Sequence, residues 1–247
     1  MNLKKNILAG ICLIFFIQIL PALDVEIDSD KNGKADRWLK LKHYKDWKKF
    51  DFNRNGLADE SCFYTDEAQK IFFIETEAFD YNNNGKPDVW ISYHFKGDDF
   101  YTEITADKDE NGFKELYVLK INDIISLQKT DNNKDGKYDV EEQYNEEGKK
   151  VQECVDMNSD GKMDDFYHYE NDMLMFEELD TNFDGRFDQW VSFEYKEDHS
   201  IKECVISKDN NYDGKEDEWH YTDDKRRVTK IEKDKDFDGQ IDERKTF

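Results

Sequence analysis

Nine short stretches of this chain obey one rule, and they return about every 25 residues. Numbered from its first aspartate, each loop has Asp at position 1: Asp28, Asp51, Asp80, Asp107, Asp131, Asp156, Asp180, Asp209 and Asp234. Position 3 is Asp or Asn: Asp30, Asn53, Asn82, Asp109, Asn133, Asn158, Asn182, Asn211 and Asp236. So is position 5: Asn32, Asn55, Asn84, Asn111, Asp135, Asp160, Asp184, Asp213 and Asp238. Position 6 is always glycine, and position 9 is acidic: Asp36, Asp59, Asp88, Glu115, Asp139, Asp164, Asp188, Asp217 and Asp242. A fixed period in this range signals repeats that stack into an array, so it takes precedence over chain length in deciding architecture.

The segments between loops alternate apolar and polar residues and are split by a polar turn. "DVWISYHF", "KGDD" and "FYTEITA" (residues 88–106) show the pattern. Period-two alternation rich in aromatic and β-branched residues means strands, and the tetrads mean hairpin turns. Midpoint turns occur at Lys45-Asp46, Asp66-Glu67, Gly97-Asp98, Asn122-Asp123, Glu147-Gly148, Asn171-Asp172, Glu197-Asp198 and Asp223-Asp224. The expected fold is therefore all-β: an antiparallel β-hairpin repeat meander of about eight hairpins and about 17 strands, in an open or coiled sheet. A β-propeller is the alternative, because two hairpins make a four-strand blade of about 50 residues. Repeat lengths do not alternate in twos, which favours the open sheet.

The loops themselves ask for a cation. Ca²⁺ takes about six to eight oxygen ligands from carboxylates, amides and a backbone carbonyl. Positions 1, 3, 5 and 9 would supply side chains. The carbonyl of position 7 would complete the set: Lys34, Leu57, Lys86, Phe113, Lys137, Lys162, Arg186, Lys215 and Gln240. Asn-Gly and Asp-Gly are also ordinary turn dipeptides, which accounts for positions 5 and 6. A turn does not require an aspartate four residues earlier and an acid three residues later. Converging carboxylates repel one another unless an ion sits among them. Up to nine Ca²⁺ ions are expected, with affinities graded by ligand charge in the ~10⁻⁴ to 10⁻³ M range of extracellular modules. The Asp51 and Asp80 loops would be weakest and the Asp234 loop strongest. An EF-hand is rejected: that motif needs Glu at position 12, and only Glu142 of nine supplies it.

DxDxDGxxD between two strands resembles the calcium loops of integrin alpha subunits and of bacterial FG-GAP and VCBS repeat proteins. The resemblance covers the nine loops alone, lacks the Phe-Gly-Gly-Ala-Pro element, and has a period under half a blade of that type. It implies calcium-dependent extracellular structure and adhesion.

Residues 1–23 read as a signal peptide, with Lys4 and Lys5 ahead of the apolar run from Ile7 to Leu20 and Ala22 before the acidic body; a membrane anchor is the alternative. Residues 24–247 are then a single repeat domain, expected to be secreted, periplasmic or at the cell surface. The net charge is −23. That argues against nucleic acid and anionic lipid as partners and leaves calcium ions and an extracellular protein or glycan. Cys62, Cys154 and Cys204 follow the signal segment. In a flat meander the last two lie four strand spacings, roughly 19 Å, apart, too far for a bridge. Trp38, Trp90, Tyr117, Phe166, Trp190 and Trp219 follow position 9 by two residues, forming an aromatic row that serves as cross-strand packing or as a binding platform. His43, His94, His168, His199 and His220 form no local metal motif, and no nucleophile or phosphate-loop signature occurs. An enzyme is not expected. The calcium-stabilised structural or adhesive element is the leading function, with a calcium-dependent glycan- or protein-binding module as the alternative.

Overall fold

Strands form where the alternation places them. The computed structural model describes residues 23–42, 63–65 and 71–247. The signal segment, apart from its last residue, and the Asp51–Asp59 loop lie outside the described residues. The chain divides into two units, residues 1–128 and 129–247, the division falling within a strand. No helix occurs among the described residues.

Unit 1 holds β1 (Leu23–Ile27), β2 (Arg37–Lys42), β3 (Phe63–Thr65), β4 (Ile71–Phe79), β5 (Val89–Lys96), β6 (Asp99–Ala106), β7 (Leu116–Ile121) and most of β8 (Ile124–Thr130). The antiparallel ladder runs β1-β2-β4-β5-β6-β7. It departs from a strict meander at one place: β2 pairs with β4, Trp38 opposite Ala78, rather than with the strand expected next in sequence. β3 adds three residue pairs to β4. The apolar surface accounts for this register, since Leu39 and Leu41 of β2 are buried with Phe73 and Ile74 of β4, alongside Val25, Tyr93 and Phe100. Glu77 enters that core because Arg37 Nη2 (2.6 Å) and Tyr93 Oη (2.6 Å) both donate to its carboxylate, which meets the requirement that a buried charge be paired.

Unit 2 is an uninterrupted antiparallel ladder of β9 (Val140–Tyr144), β10 (Lys150–Val155), β11 (Asp165–Glu170), β12 (Met173–Leu179), β13 (Gln189–Tyr195), β14 (Ile201–Lys208), β15 (Glu218–Thr222), β16 (Val228–Lys233) and β17 (Glu243–Thr246). The ladder does not close and is not cut into four-strand blades, so the propeller alternative is set aside. Asn122-Asp123 and Asn171-Asp172 have positive φ at both residues, the geometry that two-residue hairpins prefer because it matches strand twist. Cys154 on β10 and Cys204 on β14 are both free thiols, with three strands between them. Cys62 lies outside the described residues.

The two units differ in how much apolar surface they bury. Among the described residues, unit 1 buries ten apolar side chains, whereas Cys154 and Val191 are the buried apolar residues of unit 2. On the face of unit 2 that carries Val191, Glu153, Tyr167 and Glu177 stand opposite one another on adjacent strands. A single sheet normally needs a packed face for independent stability. Unit 2 must draw stability from elsewhere.

Candidate metal centres

Each loop links the end of one strand to the start of the next, and the same hydrogen bonds shape all eight described copies. The position-1 carboxylate accepts the glycine N–H through Oδ2, at distances from 2.6 Å in Asp80, Asp156 and Asp180 to 3.2 Å in Asp107. The position-5 Oδ1 accepts the N–H of position 7, as in Asn32 to Lys34 (2.8 Å) and Asp184 to Arg186 (3.0 Å). The position-9 carboxylate reaches back to the N–H of position 2, as in Asp164 to Met157 (3.0 Å) and Asp217 to Asn210 (2.8 Å). Ser29 and Thr181, at position 2, add hydroxyl donors to Asp36 (2.9 Å) and Asp188 (2.7 Å). These bonds wrap the backbone around the carboxylates.

Three loops bring acidic oxygens together outright. Ligand atoms of Asp28, Asp30 and Asp36, of Asp107, Asp109 and Glu115, and of Asp234, Asp236 and Asp242 lie within 4.8 Å of one another in each set. These are positions 1, 3 and 9 of the three described loops with Asp at position 3. The other five carry Asn there, and Asn takes the same pose. Oδ1 of Asn158 accepts the N–H of Asp160 (2.8 Å), just as Asp30 accepts that of Asn32 (3.0 Å). Positions 1, 3, 5 and 9 are thus placed alike in all eight described loops, while position 7 is fixed through its N–H.

Most position-1 carboxylates and several at position 9 are buried: Asp80, Asp107, Asp131, Asp156, Asp180, Asp209 and Asp234 at position 1, and Asp88, Asp164, Asp188 and Asp217 at position 9. Asp107 meets an ammonium, with Lys114 Nζ at 3.6 Å. Oδ1 of Asp88, Oδ1 of Asp107 and Oδ2 of Asp188 are buried and accept no hydrogen bond. Leaving such an oxygen unsatisfied costs about 1–3 kcal/mol, and more when it is charged. Repulsion from Asp238, then from Asp242, raises the pKa of the exposed Asp236; slight desolvation and Asp234 act the same way, and the Asp238 N–H opposes them. Burial raises that of Asp164, opposed by the Met157 and Asn158 N–H groups and reinforced by Asp156 and Asp160. Such sites gain by accepting a cation, and an all-oxygen donor set suits a hard divalent ion.

Two features carry no sequence signal. Position 4 has φ between 59° and 65° in every described loop, although its occupants are Lys31, Asn83, Glu110, Lys134, Ser159, Phe183, Tyr212 and Phe237. The backbone path sets this conformation whatever the side chain. Within each unit, successive described loops are also tied by a backbone bond from the position-1 N–H of one to the position-9 carbonyl of the loop before it. Examples are Asp107 to Asp88 (2.8 Å), Asp180 to Asp164 (2.8 Å) and Asp234 to Asp217 (2.8 Å). Asp80 makes this bond to Asp36 (2.9 Å), so the third loop stacks directly on the first, following the β2–β4 pairing.

Comparison with protein-family models and with curated proteins returns no match to this chain. The reading of the site therefore rests on its own geometry.

Proposed function

We propose that this chain is an exported calcium-binding repeat protein in which Ca²⁺ ions clamp successive hairpins, making a structural or adhesive element that is secreted or held at the cell surface. The observation that carries the reading is the convergence of acidic oxygens at positions 1, 3 and 9, together with buried loop oxygens of Asp88, Asp107 and Asp188 that have no hydrogen-bond donor. Ca²⁺ fits better than Mg²⁺, which demands near-ideal octahedral geometry and keeps several waters. The backbone bonds between loops give the ions leverage: an ion that orders one loop also fixes the carbonyl on which the next loop stacks. Stability then propagates by nearest-neighbour coupling, as in other repeat arrays. The thin apolar core of unit 2 leaves that unit most dependent on its ions.

The apolar segment at residues 7–20 supports export, and the millimolar calcium outside cells suits loops of modest affinity. The test is limited proteolysis and circular dichroism after chelation, then after refilling with Ca²⁺ or Mg²⁺. Protection and strand signal restored by Ca²⁺ and not by Mg²⁺ support the proposal. Indifference to both ions defeats it. A second reading, a binding module that uses the aromatic row, gains from the half-exposed position of Trp38, Trp90, Trp190 and Trp219, outside the core cluster.

A further inference from the structure

A groove of about 430 Å³ opens on unit 1, within the size range of small-molecule sites. Its lining comes from five neighbouring strands; Trp38, Lys40, Ala78 and Trp90 belong to one sheet face, and Val25, Leu39, Glu77 and Ile91, which alternate with that set, also border it. Trp38 and Trp90 both stand opposite Ala78, one on each side. Two strand spacings, roughly 9.5 Å, therefore separate the backbones that carry the two indoles, across a floor made by one methyl group.

The rim is acidic. Asp24, Glu26, Glu77 and Glu103 line it, Glu77 being the one already paired with Arg37, and among the described lining residues the base is Lys40, which faces Asp24 across the β1–β2 pair. Trp90 already carries a cation: Lys114 Nζ lies 3.1 Å from its ring centroid. Lys114 is not part of the groove wall.

We propose that this groove binds a quaternary ammonium group of the choline type. A cation midway between two side chains rooted roughly 9.5 Å apart lies about 5 Å from the strand of each, so either indole can bring its face inside the ~6 Å reach of cation–π attraction. Its methyl groups need no hydrogen-bond partner, so an apolar slot with carboxylates at the edge satisfies both its surface and its charge. A neutral sugar would gain nothing from that charge, and an anion would be repelled by it and by the chain's overall negative field. The proposal needs no ion in the loops beyond what keeps the strands folded.

The test titrates the full calcium-loaded chain, followed by tryptophan fluorescence and calorimetry, with choline, with its uncharged isostere 3,3-dimethyl-1-butanol, with cellobiose, and with phosphatidylcholine vesicles. Saturable binding of choline well above that of the isostere is expected, and Trp38→Leu and Trp90→Leu should each weaken it roughly 5- to 30-fold. Ala78→Leu, which fills the floor and leaves both rings, should also abolish it, with circular dichroism confirming the fold of each variant. Given choline binding, the vesicle arm shows whether the group is taken free or from a bilayer. Equal binding of isostere and choline, binding of cellobiose or vesicles without choline, choline binding unmoved by these substitutions in folded variants, or no binding at all would overturn the proposal.

Discussion

Asp188→Asn separates a metal site from an acidic turn by the sign of its effect. Oδ1 of Asp188 accepts the Thr181 N–H (3.3 Å) and hydroxyl (2.7 Å), while Oδ2 is buried and accepts nothing. Asparagine keeps the first set of bonds through its amide oxygen and replaces the second, charged oxygen with a neutral NH2 that can donate to the neighbouring carboxylates. Without calcium the substitution should be neutral or stabilise by about 1 kcal/mol, the lower end of the penalty for an unsatisfied buried group. With calcium at ten times the dissociation constant, one occupied site adds about 1.4 kcal/mol to folding, and the variant forfeits it. Urea unfolding of wild type and variant, each in chelator and in calcium, measures both terms. The difference between variant and wild type should move by at least about 1.4 kcal/mol between the two conditions. An identical difference in chelator and in calcium would refute a ligand role for Asp188.

Phe183→Gly should stabilise the protein by about 0.5–1 kcal/mol in thermal unfolding, because position 4 holds Phe183 at φ 63°, at a cost for an L-residue that exceeds the extra backbone entropy of glycine. In the calcium-free protein, Asp236→Asn should stabilise increasingly as pH rises. The raised pKa of Asp236 means that its contribution is intact below the unfolded value and is lost as pH climbs through the folded one, so a flat pH profile for the variant's gain would contradict the repulsion described. Cys154 is 3% exposed and its thiol is pushed up to about 12 by burial first and by Glu141 and Glu153 next. It should resist alkylation in the native state and react at once in denaturant, as followed by mass spectrometry.

Much of this arrangement was legible in the sequence because the repeat writes its geometry into residue types. Glycine at position 6 reports a backbone with φ near 90°, and Asp, Asn and acid at positions 1, 3, 5 and 9 report side chains that turn toward one point. Hairpins followed from alternation and turn dipeptides. Three things were not legible. The β2–β4 pairing depends on which apolar faces match in space, and Leu39 and Leu41 do not advertise Phe73 and Ile74 as partners. Position 4 adopts its left-handed conformation under side chains as different as Glu110 and Phe237, so no residue preference exposes it. The aromatic row could be placed on one face by counting, but which face carries the core depended on the burial of Leu39 and Val118 at the following position.

The most direct measurement is calorimetric titration of Ca²⁺ into chelator-stripped protein, with the unfolding midpoint followed at each step. Several ions should bind, with the Asp234 loop the last to empty, and the midpoint should climb with occupancy. A chain that takes up no calcium, or takes it up without any change in its unfolding, would show that the loops are solvated acidic turns and would contradict the account.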